Sequence, residues 1–114
     1  MENPYKDIIG KTVDIIMDRP LGTQHPKHED ILYTVNYGYI PNVMGGDGEE
    51  QDCYLLGVSE PVKTYTAKII AVIHRLNDCE DKYVAVPEGQ EFSKEEISKL
   101  TYFQEKYFDS EIHM

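Results

Sequence analysis

Two acidic runs hold the side chains best able to do chemistry in this chain: Asp47-Gly48-Glu49-Glu50-Gln51-Asp52 and Asp78-Cys79-Glu80-Asp81-Lys82. Carboxylates crowded in this way repel one another unless a hard cation such as Mg²⁺ neutralises them with oxygen ligands. A site with several metal ions and neighbouring Lys and Tyr groups suits phosphoryl chemistry. In an extended segment Asp47 and Glu49 share a face, whereas Asp52 has the opposite parity. A turn or bulge is then needed to bring Asp52 round, and Gly48 supplies the freedom. The first run is not a calcium EF-hand, having no Gly at its sixth position and no Glu at its twelfth. Taken singly, each run reads equally well as a solvated turn, since Asn77-Asp78 is good turn chemistry.

The elements that must position these groups are mostly strands. Val13–Met17 is predicted as the first strand, ended by Arg19-Pro20-Leu21-Gly22, and Ile31–Val35 as the second. Residues 37–48, with four glycines and a proline, read as a loop. Asp52–Val58, Thr66–His74 and Lys82–Val86 complete a set of five. Short strands joined by turns suggest a small, five-stranded, OB-like barrel, closed or nearly so. Ser93 with Glu96 forms a capping-box start for a C-terminal helix. Ile97, Leu100, Phe103 and Tyr107 fall on one helical face, which is predicted to lie on the barrel.

A chain of 114 residues fits a single domain over residues 1–114. The net charge of −10 disfavours nucleic acid and anionic membranes, and a polyanionic substrate then requires metal ions to reverse the sign locally. No apolar run approaches the ~18–20 residues needed to span a bilayer. Met1-Glu2-Asn3-Pro4 does not read as a secretory signal. Two cysteines, Cys53 and Cys79, are too few for a disulfide scaffold. The cytoplasm is the expected location. The spacing of His25, His28, His74 and His113 makes no zinc motif.

Taken in order, Tyr37-Gly38-Tyr39-Ile40-Pro41, Asp47-Gly48-Glu49-x-x-Asp52 and Asp78-x-x-Asp81-Lys82-Tyr83-Val84-Ala85-Val86-Pro87 resemble the soluble, family I type of inorganic pyrophosphatases. The resemblance runs from about residue 15 to 108. It implies hydrolysis of inorganic diphosphate by a metal-activated water, with two or more Mg²⁺ ions, Mn²⁺ being a possible substitute. By the same resemblance Asp47, Glu49, Asp52, Asp78, Asp81, Glu29 and Asp18 are metal ligands. Asp52 orients or deprotonates the water, with Tyr37 and Lys82 beside it. Lys27, Lys82, Tyr33 and Tyr107 contact phosphate. Bacterial members of the family are commonly homo-oligomers, so self-association is expected.

The chain also departs from the pattern. The family's hairpin arginine has no counterpart, because only Asp30, Ile31 and Leu32 separate Glu29 from Tyr33. Phe108 stands where a lysine follows the helical tyrosine. Glu49 replaces an Asp and Asp18 a Glu, and the turn holding Asp78 and Asp81 is short. Arg19, His25 or His28 is placed to replace the lost arginine. Two missing cationic contacts to phosphate, each worth about 1.5–3 kcal/mol, amount to roughly 10²–10⁴ in affinity or rate. The alternatives are hydrolysis of another small phosphoanhydride, or a catalytically weak protein that binds metal and phosphate.

Overall fold

The computed structural model describes residues 5–45, 48–77 and 80–114. Six strands and one helix follow in the order β1 (Thr12–Arg19), β2 (Asn36–Met44), β3 (Glu50–Leu55), β4 (Thr64–Arg75), β5 (Asp81–Val86), α1 (Lys94–Glu105) and β6 (Ser110–His113). The strands pair as β1-β2-β3-β5-β4, and β1 also pairs with β4, so the first five close into a barrel. Only β3 and β5 run parallel. β6 pairs antiparallel with β4 outside the barrel. The fold is mainly β, an OB-like barrel with one C-terminal helix.

Strand alternation divides the apolar residues into two sets. Ile15, Met17, Ile40, Cys53, Leu55, Ala67, Ile69 and Ala85 come from all five barrel strands and fill the interior. Tyr37, Tyr54, Leu56, Ala71, Ile73, Val84 and Val86 lie on the outer surface of β2–β5, packed against Ile97 and Phe103 of α1. Ile69 and Ala71 have the same parity yet belong to different sets. A register shift between them turns β4 over at that point.

Most of the segment 37–48, expected as loop, belongs to β2 (Asn36–Met44), whereas Ile31–Val35 holds only an isolated bridge between Leu32 and Gln24. The glycine that suggested a turn has another use. A Cβ at Gly38 would lie 2.0 Å from the carbonyl oxygen of Ile16, so β2 needs Gly there to run against β1. Asn42, at φ 66°, and the register shift between Ile40 and Met44 bend the strand without ending it.

The helix begins as predicted, with the Ser93–Glu96 capping box formed in both directions. Its buried face is different: Ile97, Thr101, Gln104 and Glu105 are buried, while Leu100 is half-exposed and Tyr107 is 51% exposed. Apolar periodicity placed the face by hydrophobicity, but three of these four buried side chains, Thr101, Gln104 and Glu105, are polar. Among the described residues no helix is long and apolar enough to cross a membrane.

Because the obstructing atoms at Gly38 are backbone, a side chain there forces β1 and β2 apart. Gly38→Ala is expected to lower stability by about 3 kcal/mol or more in urea denaturation. An unchanged midpoint would contradict this account of the β1–β2 approach.

Candidate active site

Where the outer face meets the end of α1, polar groups gather around Asp52. Cys53 of β3 lies beside Tyr83 of β5, so Asp52 and Lys82, each one residue earlier, project from the same face. The buried Lys82 ammonium is 2.5 Å from Asp52 Oδ2 and 3.2 Å from Glu80 Oε2. Tyr37 is buried, close enough to Asp52 to feel its charge. Burial, then the charge of Asp52, holds the Tyr37 phenol well above the usual tyrosine range, so it stays a donor at neutral pH. Asp18, at the end of β1, feels the same centre. Partial desolvation of its carboxyl, with the charge of Asp52 a smaller contribution, raises its pKa and outweighs Arg19 and a backbone hydrogen bond.

Asp81 points the other way. Its Oδ1 lies 2.7 Å from His74 Nδ1 and accepts a 3.0 Å hydrogen bond from the Tyr5 hydroxyl. Burial, with Asp81 next, pushes the Tyr5 phenol up to about 12. One step along β5 separates Asp81 from Lys82, and that step puts them on opposite faces of the sheet. Glu80, two positions before Lys82, regains the outer face.

A second polar layer joins this centre to the helix. Arg75, the last residue of β4, donates from Nε and Nη2 to the two oxygens of Glu105, at 3.0 and 2.7 Å. Its Nη1 lies 3.6 Å from Glu80, and its guanidinium carbon sits 3.7 Å over the Phe108 ring. Burial works against the Arg75 charge, but the hydrogen bonds and charge of Glu105 win and raise its pKa. The Tyr54 hydroxyl donates to Glu105 at 2.6 Å and accepts from Gln104 Nε2 at 2.7 Å. Gln104 Oε1 accepts from Tyr33, whose hydroxyl also accepts from Arg19 at 2.6 Å. Tyr33 is fully buried, so it reaches the cleft only through its partners. Arg19 has no carboxylate within ion-pairing distance among the described residues.

The other residues singled out from sequence are more open. Lys27 and Glu29 lie on an exposed loop, and Glu49 is exposed on the turn before β3. Tyr107 follows α1 and lines a cleft with His25 and His28. Asp47 and Asp78 lie outside the described residues. Among the described residues no three acidic, His or Cys side chains converge as a preformed cage. Asp52 and Glu80 nevertheless share one ammonium and offer hard oxygen donors, a set that suits Mg²⁺ better than a softer metal.

These features define a small closed barrel with an acid–lysine–tyrosine centre on its outer face. A sequence profile described as inorganic pyrophosphatase matches residues 11–113. The chain therefore belongs to the inorganic pyrophosphatase family. A relative from Helicobacter pylori, named inorganic pyrophosphatase, is 25% identical over 95 residues, spanning 69% of this chain and 55% of that protein. The aligned region thus covers about half the length of the curated relative. The solved structure of an inorganic pyrophosphatase from Ehrlichia chaffeensis superposes with a TM-score of 0.70 at 19% identity, over 92% of this chain and 86% of that one. One from Neisseria gonorrhoeae gives 0.64 at 21% identity, over 90% and 80%. At these identities the likeness to solved structures concerns the fold.

Glu80, Arg75, Gln104 and Glu105 escaped the sequence reading. Only Glu80 left a signal, its two-residue spacing from Lys82. The buried Arg75–Glu105 pair yields a stability prediction. Arg75→Met or Glu105→Leu alone strands a buried charge and should cost about 3–5 kcal/mol in denaturant unfolding. The double variant should recover most of that loss, whereas additive losses would contradict the pairing.

Proposed function

We propose that this protein hydrolyses inorganic diphosphate to two phosphates, with Mg²⁺ as cofactor and Mn²⁺ as a substitute. The observation that supports it most is the Asp52 carboxylate paired with the buried Lys82 ammonium on the barrel's outer face, near enough to Tyr37 for its phenol to feel the charge. Family membership points to the same reaction.

We assign Asp52, Glu80 and Asp18 to metal binding from their place around the centre, together with Glu29, Asp47, Glu49 and Asp78 from the sequence pattern. Glu80 takes the role that the pattern gave to Asp81. Divalent ions, when bound, supply charge neutralisation and a more acidic water. The chain's own groups do the rest. The ion pair with Lys82 fixes the Asp52 carboxylate, leaving its remaining lone pairs to accept a proton from the attacking water. Lys82 is held where it can neutralise charge on a phosphate oxygen as the bridging P–O bond breaks. Arg19, unpaired with any described carboxylate, and Lys27 are further cations for the substrate. The water oxygen bonds to one phosphorus and the bridging oxygen leaves with the other. The setting we propose is the cytoplasm, with the chain as one domain in a homo-oligomer.

Phe108 favours a second reading, a weak or non-catalytic diphosphate binder. It puts a ring on Arg75 where the family pattern has a phosphate-binding cation.

Phosphate release from diphosphate should require Mg²⁺ and fall about 10³-fold or more in Asp52→Asn. Glu80→Gln should raise the Mg²⁺ concentration needed for half-maximal rate by about tenfold or more, while Asp81→Asn should change it less than about threefold. Release that is unaffected by EDTA refutes the hydrolase reading. The reverse ranking of the Glu80 and Asp81 variants refutes the ligand assignment.

A further inference from the structure

Among the described residues β6 is the strand left outside the barrel, and it pairs on one side only, with β4. Just before it, the Leu76 amide donates to the Asp109 carbonyl. Bonded pairs alternate along an antiparallel ladder, so Glu111 and His113 turn their backbone groups to β4 while Ser110 and Ile112 turn theirs away. An open trough of about 810 Å³ runs along this strand, lined by all four residues of β6 and by Lys94, Glu95 and Ser98 at the start of α1. Proteins often guard such an edge against strand addition with a lysine, a proline or a bulge. β6 contains neither residue, and its register against β4 runs without a shift.

The sequence of this edge complements itself. With a second copy antiparallel and Ile112 opposite the partner's Ile112, Glu111 falls opposite the partner's His113, and His113 opposite the partner's Glu111. Ile112 turns its backbone outward, so this two-fold register is also a hydrogen-bonded one. Within one chain His113 Nε2 lies 3.0 Å from Glu111 Oε1, with both side chains on one face of the strand. Pairing then sets two carboxylates and two imidazoles in an alternating square. On the other face Ile112, partly buried against the core beneath α1, meets its own counterpart. Tyr102 of α1, 62% exposed, shares a cleft with Ile112 and adds an apolar ring beside the seam. A second copy supplies this reciprocity, and an arbitrary peptide does not.

We propose that β6 is the docking edge for a second copy of this chain, the two sheets joining antiparallel about a two-fold axis at Ile112. This names the contact behind the homo-oligomer proposed above and does not depend on the reaction. The backbone bonds give the contact its strength, and the Glu111–His113 alternation gives it its register.

Sedimentation velocity from micromolar to submillimolar protein, with amide hydrogen exchange read by NMR, provides the test. The wild type should form dimers or multiples of two, and the Ile112 amide should exchange more slowly as they form. His113→Glu sets carboxylates opposite one another and should weaken association by about tenfold, while adding Glu111→Lys to it should restore association. Ser110→Pro removes an outward amide without taking a bond from β4, so it should give a monomer with an unchanged circular dichroism spectrum. If that variant disturbs β6, the charge reversal and its rescue still decide. A wild type that stays monomeric overturns the proposal. So does an oligomer whose size and Ile112 exchange are the same in His113→Glu. None of these readouts involves diphosphate turnover, so the hydrolase reading stands or falls separately.

Discussion

Consecutive side chains of a strand leave opposite faces of the sheet, and in this barrel that constraint decides which acids can act together. The interior face is filled by small and branched apolar residues from all five strands, so polar chemistry has room only outside. Asp52 and Lys82 emerge outward because β3 and β5 pair in parallel one residue beyond them. Glu80 joins them from two positions before Lys82, while Asp81 is turned toward His74 and Tyr5. An acid one residue out of step is as distant from the centre, in chemical terms, as one from another part of the chain.

The helix closes this face with an unusual surface. A buried Arg75–Glu105 pair, extended through Tyr54, Gln104 and Tyr33 to Arg19, occupies part of the space that an apolar stripe would fill. Replacing such a pair by apolar groups is often neutral or stabilising, so its value here lies in geometry more than in energy. Every group in the chain of hydrogen bonds has a partner, and none of the described buried side-chain polar atoms is unsatisfied. The network fixes the end of α1 against the barrel, and with it the positions of Tyr107 and Phe108 beside the cleft. It connects the helix's packing directly to the shape of the site.

Much of this was legible in the sequence, for identifiable reasons. The barrel follows from short β-rich segments with turn residues between them, and the capping box marks the helix start to the residue. β2 was missed because Gly38 and Pro41 are turn formers in isolation, and only the backbone of Ile16 explains the glycine. The buried face of α1 was misplaced because Gln104 and Glu105 look like solvent residues until Arg75, Tyr33 and Tyr54 are set opposite them. β6 is four residues long and carries too little pattern to be read. Asp52, Lys82 and Tyr37 were singled out through ordered motifs. Matching residue types singled out Asp81, whereas facing, which depends on register, sets Glu80 beside Lys82 and Asp81 beside His74.

The central claim is that the outer-face carboxylates, and not the group around Asp81, bind the divalent ion. Paramagnetic Mn²⁺ titrated into isotopically labelled protein tests this directly. The account predicts early broadening of the Tyr37 ring and Lys82 side-chain signals, with the His74 ring spared at the same concentrations. Broadening of His74 before Tyr37, or none at Tyr37 at saturating Mn²⁺, would contradict it.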